Sequence, residues 1–182
     1  MSDLLTKKEQ RELLKIARDA IVTVVTNGNT PSAETASPGL NGPNGCFVTI
    51  KQQERLRGCI GNFVSDKPLC KLVQEMAVSA ATRDPRFYPM KRQDLDDFTL
   101  EISVLSPLEK ITSVDQIHVG KHGIYIVKNS YRGVLLPQVA TEYGWDRETF
   151  LQHTCVKAGL PENAWQKECD IYIFSALVFG EQ

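Results

Sequence analysis

The stretch "CFVTIKQQERLRGCI", residues 46–60, decides the fold. "CFVTIK" (46–51) is β-branched and aromatic, the composition of a strand. "QQE" is a turn, and "RLRGCI" (55–60) is a second strand that pairs back on the first as a hairpin. A hairpin makes the sheet antiparallel here, because parallel neighbours need a long crossover. Downstream, "FTLEISVLS" (98–106) alternates cleanly. Phe98, Leu100, Ile102 and Val104 share one face, and Thr99, Glu101 and Ser103 share the other. "GIYIVK" (123–128) and "GVLLP" (133–137) read as strands joined by the turn "NSYR", and "DIYIFSALVF" (170–179) reads as one closing strand.

Helices separate these strands. Thr6 and Glu9 form a capping box. Leu13, Ile16, Ala17, Ala20, Ile21 and Val24 then recur at helical spacing until Asn27-Gly28. From there to Gly45 the chain reads as a long surface loop. Asp66 is placed to cap a second helix with Pro68 in its first turn. Leu69, Leu72, Val73, Met76, Ala77 and Ala80 are its apolar stripe, and it ends by Arg83 because Asp84 precedes Pro85. "PQVATEY" is a short helix, and Asp146 caps "RETFLQHTCVKA", which Gly159 ends. The order α-β-β-α-β-β-β-α-α-β has more hairpins than crossovers. It predicts an α+β fold with a largely antiparallel sheet and packed helices, in a single domain over 1–182. Each half carries hairpin strands followed by a helix, the pattern of a loose internal duplication.

The net charge of −1 excludes a global field for nucleic acid or anionic lipid, though not a local basic groove. No run is long and apolar enough to span a bilayer. The charged start "MSDLLTKKEQRELLKI" has no apolar core of a signal peptide. The five cysteines are odd in number and widely spaced, which points to reduced thiols in a cytoplasmic protein. No C-x-x-C pair occurs. "GLNGPNG" (39–45) lacks the ending of a phosphate loop.

Three groups of residues carry candidate chemistry. Cys59 lies two residues from Arg57; in a regular strand they share a face, and a nearby cation favours a thiolate. Gly58 and Gly61 remove side chains beside the sulfur. The same features fit a small buried residue in a tight bend. In "TRDPRFYPM" (82–90), Arg86 offers a rigid fork for carboxylate or phosphate, and Asp84 with Arg86 equally suits the ordering of a loop. Glu101, on the face opposite the apolar set, is a solvated carboxylate unless that face lines a cleft, where it becomes a base or a metal ligand. His118 and His122 stand about 13 Å apart in a strand, at about 3.3 Å per residue, too far to share a metal. Cys155 reads as core, and nothing local brings His153 to Cys59. Trp145 and Trp165 read as packing around the helix they flank.

"LRGCIG" (56–61), "DPRF" (84–87), "EISVLSP" (101–107), "GVLLPQVA" (133–140) and "FLQHTCVKAGLP" (150–161) occur in this order. Together they resemble the AMMECR family over nearly the whole chain. The resemblance implies an α+β fold with a main lobe built from both chain ends, a smaller lobe and a cleft near "LRGCIG". It implies association with Memo-type and radical SAM proteins in a modification pathway acting on a base, RNA or small aromatic substrate. It carries function to Arg57, Gly58, Cys59, Gly61, Asp84, Arg86, Glu101 and Gln138. It does not ask for histidine at position 153, which argues against a Cys-His hydrolase. No cofactor and no metal are expected. Two functions follow: a cysteine-dependent enzyme using Cys59 and Glu101, or a binding module that docks those partners.

Overall fold

The computed structural model describes residues 4–30, 32–35 and 37–181. It divides into two compact units, Met1–Leu105 with Leu177–Gln182, and Ser106–Ala176. The main unit is thus built from both ends of the chain.

In the first unit, helix α1 (Lys7–Asn27) begins at the expected capping box, with Thr6 accepting from the Glu9 N–H, and ends at Gly28 with φ 75°. Strands β1 (Cys46–Gln52) and β2 (Arg55–Asn62) form the hairpin. Their turn is tighter than the sequence suggests. Gln53 and Glu54 alone make it, at φ 48° and 61°, the double left-handed geometry that matches strand twist. Helix α2 (Leu69–Thr82) and strand β3 (Thr99–Leu105) follow. Asp66 does not cap α2. Pro68 stands at the cap position, and the Leu69 N–H donates to the Gly42 carbonyl at 3.0 Å.

The chain between α1 and β1 is not a free surface loop. Leu40, on a short 3-10 turn (Pro38–Asn41), is fully buried. Burial of such a leucine contributes about 1.5–3 kcal/mol. Glu12 of α1 accepts from the Thr35 and Ser37 hydroxyls, and the Ala33 N–H donates to Gln74 of α2. Pro31 and Ala36 of this loop lie outside the described residues.

The second unit holds β4 (Glu109–Lys110), β5 (Gly123–Lys128), β6 (Tyr131–Leu135), α3 (Pro137–Glu142), α4 (Arg147–Lys157) and β7 (Asp170–Phe174). The turn between β5 and β6 is only Asn129-Ser130; Tyr131 and Arg132 already belong to β6. β4 is too short for a periodic signal and was not expected.

The sheets run β2-β1-β3-β8 and β4-β7-β5-β6, where β8 is Ala176–Gly180. The closing stretch is therefore two strands in two sheets, not one. Ser175 separates them; it exchanges two 2.9 Å hydrogen bonds with Ser106. Each unit has its own core. Leu13 and Ile21 of α1, Leu72 and Val73 of α2, Val48 and Ile50 of β1, and Leu100, Ile102 and Val104 of β3 form the first. Ile124 and Ile126, Ile171 and Ile173, and Phe150, Leu151 and Cys155 form the second. Among the described residues no helix is long and apolar enough to cross a membrane.

Candidate functional site

The core side of the first sheet takes Val48, Ile50, Leu100 and Ile102, so the residues between them share the other face. Register then sets a row. Thr49 is paired with Cys59 on one side and with Glu101 on the other. The Thr49 hydroxyl donates to the Cys59 sulfur at 3.2 Å. Two residues along β1, the Lys51 ammonium lies 3.0 Å from Glu101 Oε2, in a pair about one third exposed. Cys59, Thr49 and Glu101 are all half-buried. Neighbouring strands lie about 4.8 Å apart, so the Cys59 and Glu101 backbones are roughly 10 Å apart. They cannot touch directly, and Thr49 stands between them.

The backbone of Cys59 is held on both sides. Its N–H donates to Asp84 Oδ2 at 2.8 Å, and its carbonyl accepts from Arg86 Nη2 at 3.2 Å. Asp84 and Arg86 form a two-pronged pair, Nε to Oδ1 at 3.0 Å and Nη2 to Oδ2 at 2.7 Å. The Asp84 carboxylate also takes the Arg86 N–H at 3.1 Å. Its side chain is 2% exposed, that of Arg86 54%. The guanidinium, followed by the Cys59 and Arg86 amides, holds the Asp84 carboxyl well below the usual carboxylate range. Asp84 and Arg86 therefore fix the main chain beneath the thiol. The Arg86 fork is largely occupied by Asp84.

Both glycines of the motif are spaces for neighbours. A Cβ on Gly58 would sit 2.3 Å from the Ala80 carbonyl oxygen of α2, and one on Gly61 would sit 2.1 Å from the Phe47 ring. Neither has a positive φ. Gly58 lets the strand lie against the helix, and Gly61 accepts the aromatic ring across the strand pair.

Arg57 corrects the expectation of a regular strand. Ile50 pairs with Gly58 and Lys51 with Leu56, so Arg57 is the extra residue of a β-bulge. Its Nη2 lies 3.4 Å from Asp94 Oδ2, and its Nη1 is buried with no partner among the described residues. A buried guanidinium arm left unpaired is costly unless a ligand meets it.

Gln138 belongs to the second unit, on α3, where its carbonyl accepts from the Thr141 hydroxyl at 2.8 Å. The three histidines also belong to that unit. His118 and His122 lie in a turn rather than a strand, with ring centres 5.3 Å apart, much closer than strand spacing implies. Burial, with Lys121 next, lowers the His122 pKa. His153 stacks on Trp145 at 3.9 Å, and Trp145 on Tyr143 at 5.0 Å. Cys155 is fully buried, as expected. Among the described residues no group of three or more His, Cys, Asp or Glu is arranged to hold a metal.

Thr49, Lys51 and Asp94 were not singled out from sequence. The alternation of "FVTIK" marks Thr49 and Lys51 as outward, and the hairpin register would have placed them beside Cys59. Nothing local connects Asp94 with Arg57. A cavity of about 1000 Å³ in the first unit, between α1 and β8, does not include Cys59. It offers charge without a nucleophile, so the row is the candidate for chemistry.

The chain is similar to known proteins over nearly its whole length. A Methanopyrus kandleri protein is 41% identical, over 100% of this chain and 93% of its own. A Methanothermobacter thermautotrophicus protein is 43% identical, over 97% of this chain and 96% of its own. The crystal structure of an uncharacterised protein from Pyrococcus horikoshii superimposes with a TM-score of 0.87 at 35% identity, covering 99% of this chain and 95% of that one. The sequence pattern of the AMMECR1 family matches residues 14–179, and the chain belongs to that family.

Proposed function

We propose that this protein is a cysteine-dependent enzyme that modifies a small anionic or nucleotide-like substrate, in a pathway shared with Memo-type and radical SAM proteins. The observation that carries this reading is the row of thiol, hydroxyl and carboxylate on one sheet face, with Lys51 beside it. Cys59 is the nucleophile. Glu101 carries the proton, at a span of roughly two strand spacings, about 10 Å, which a bound substrate or the Thr49 hydroxyl bridges. Lys51 and the unpaired arm of Arg57 supply positive charge for an anionic group. Asp84 and Arg86 act as positioning residues by holding both backbone groups of Cys59.

A specific observation favours a second reading, the binding module. Gly58, Gly61, Asp84 and Arg86 each have a packing or hydrogen-bonding partner in the first unit, so the motif also serves as architecture.

Competitive alkylation of the folded protein separates the two, with peptide mapping of all five cysteines against pH. Cys46, Cys70 and Cys155 are fully buried internal references. Half-buried Cys169 donates to the Ala164 carbonyl, and burial pushes its pKa up. The enzyme reading expects Cys59 to react fastest and Thr49→Val to change its rate. Protection of Cys59 until unfolding supports the module and rejects the nucleophile.

A further inference from the structure

We propose that the groove between α1 and the free edge of β8 binds an extended acidic segment of a partner protein, which adds to the first sheet as a fifth strand. The inference is independent of the Cys59 row.

β8 ends the order β2-β1-β3-β8, so among the described residues one side of it pairs with no strand. Edge strands are usually blunted by charge, proline or a bulge. "ALVFG" (176–180) has neither charge nor proline, and Val178 is 46% exposed. The edge opens on the 1000 Å³ groove, whose other wall is α1. There Lys7, Arg11, Lys15 and Arg18 follow one another at spacings of four, four and three, on one helix face. Like charges four apart oppose a helix, so the spacing of Lys7, Arg11 and Lys15 works against α1. Among the described residues that line the groove the only carboxylate is that of Glu181, already bound by Arg18 at 2.6 and 2.5 Å. Lys15 has Asp19 outside the groove, and the Arg11 Nε contacts only the Lys7 carbonyl of its own helix. The near-neutral whole chain conceals this local charge.

Spacing selects the occupant. Same-side residues of an extended strand repeat every ~6.8 Å, and helix positions four apart rise ~6 Å. Alternate acidic side chains of a strand laid in the groove therefore fall beside Lys7, Arg11 and Lys15 in turn, while its backbone pairs with β8. A second copy of this chain would bring its own cationic stripe against this one. A nucleic acid would satisfy the charges and leave the edge amides unpaired.

The test uses the full chain and a fluorescein-labelled decapeptide of alternating Glu and Val, followed by polarisation. Saturable binding is expected, weakening at least tenfold between 20 and 200 mM salt and at least tenfold in an Arg11→Glu/Lys15→Gln variant. Both positions are exposed, so folding should survive. The same peptide with alternate N-methylated residues should not bind. No saturable binding at millimolar peptide overturns the proposal. Equal binding of the N-methylated peptide overturns strand addition, and tighter binding of oligothymidylate of equal charge overturns the peptide assignment.

Discussion

At the scale of single residues, Asp84 governs the candidate site. One buried carboxylate holds the Cys59 amide, the Arg86 amide and the Arg86 guanidinium. Asp84→Asn should cost about 2–3 kcal/mol at neutral pH, a figure kept low because Arg86 is half in water. The folded carboxyl titrates below its unfolded value. It therefore stabilises the protein fully above the unfolded pKa of about 3.9, and that contribution is lost as pH falls from there through the much lower folded pKa. Urea unfolding at pH 7, 5 and 3 should show the same wide gap between wild type and variant at the first two and a narrower one at the third. A gap that widens at pH 3 would mean that the pair is not the source. Cys59 alkylation in the same variant should also change, because the Cys59 amide loses its anionic acceptor and Arg86, which holds the Cys59 carbonyl, loses its ion pair.

The bulge at Arg57 and the close approach at Gly58 act at the scale of elements. The bulge takes Arg57 out of the regular pairing; its Nη2 meets Asp94, and its Nη1 has no partner among the described residues. Gly58 brings β2 against the backbone of α2. Gly58→Ala must push strand and helix apart, since the Ala80 carbonyl cannot swing aside. A loss of about 1–3 kcal/mol is expected, read as a lower denaturation midpoint. A neutral Gly58→Ala would show that the glycine is there for the site and not for packing. Helix starts and stops were legible in sequence wherever a side chain or glycine made them: Thr6 with Glu9, Gly28, Asp146. The start of α2 was not, because a distant backbone carbonyl, that of Gly42, caps it.

At the scale of the whole molecule, two separate cores divide the stability. Phe150, fully buried in the second, should cost about 3–5 kcal/mol when cut to alanine. Native-state hydrogen exchange should show β5 and β7 losing protection first, with β1 and β3 keeping theirs. Uniform loss would instead mark one cooperative unit. The sequence by itself determined the strand and helix types, the antiparallel hairpins, the α+β class, the family, and Cys59 and Glu101 as residues to watch. Those signals are local: a period of two or of 3.6, a cap, a turn. Only the tertiary structure decided that Thr49 and Lys51 join Cys59 and Glu101, and that Asp84 grips the Cys59 backbone. It alone divided "DIYIFSALVF" between two sheets. The physical reason is parity. Ile171, Ile173, Leu177 and Phe179 keep one unbroken alternation across Ser175, so the pattern looks the same whether the strand stays in its sheet or leaves it. Which strand lies beside which is set by contacts between residues far apart in the chain, and no short window of sequence contains both partners.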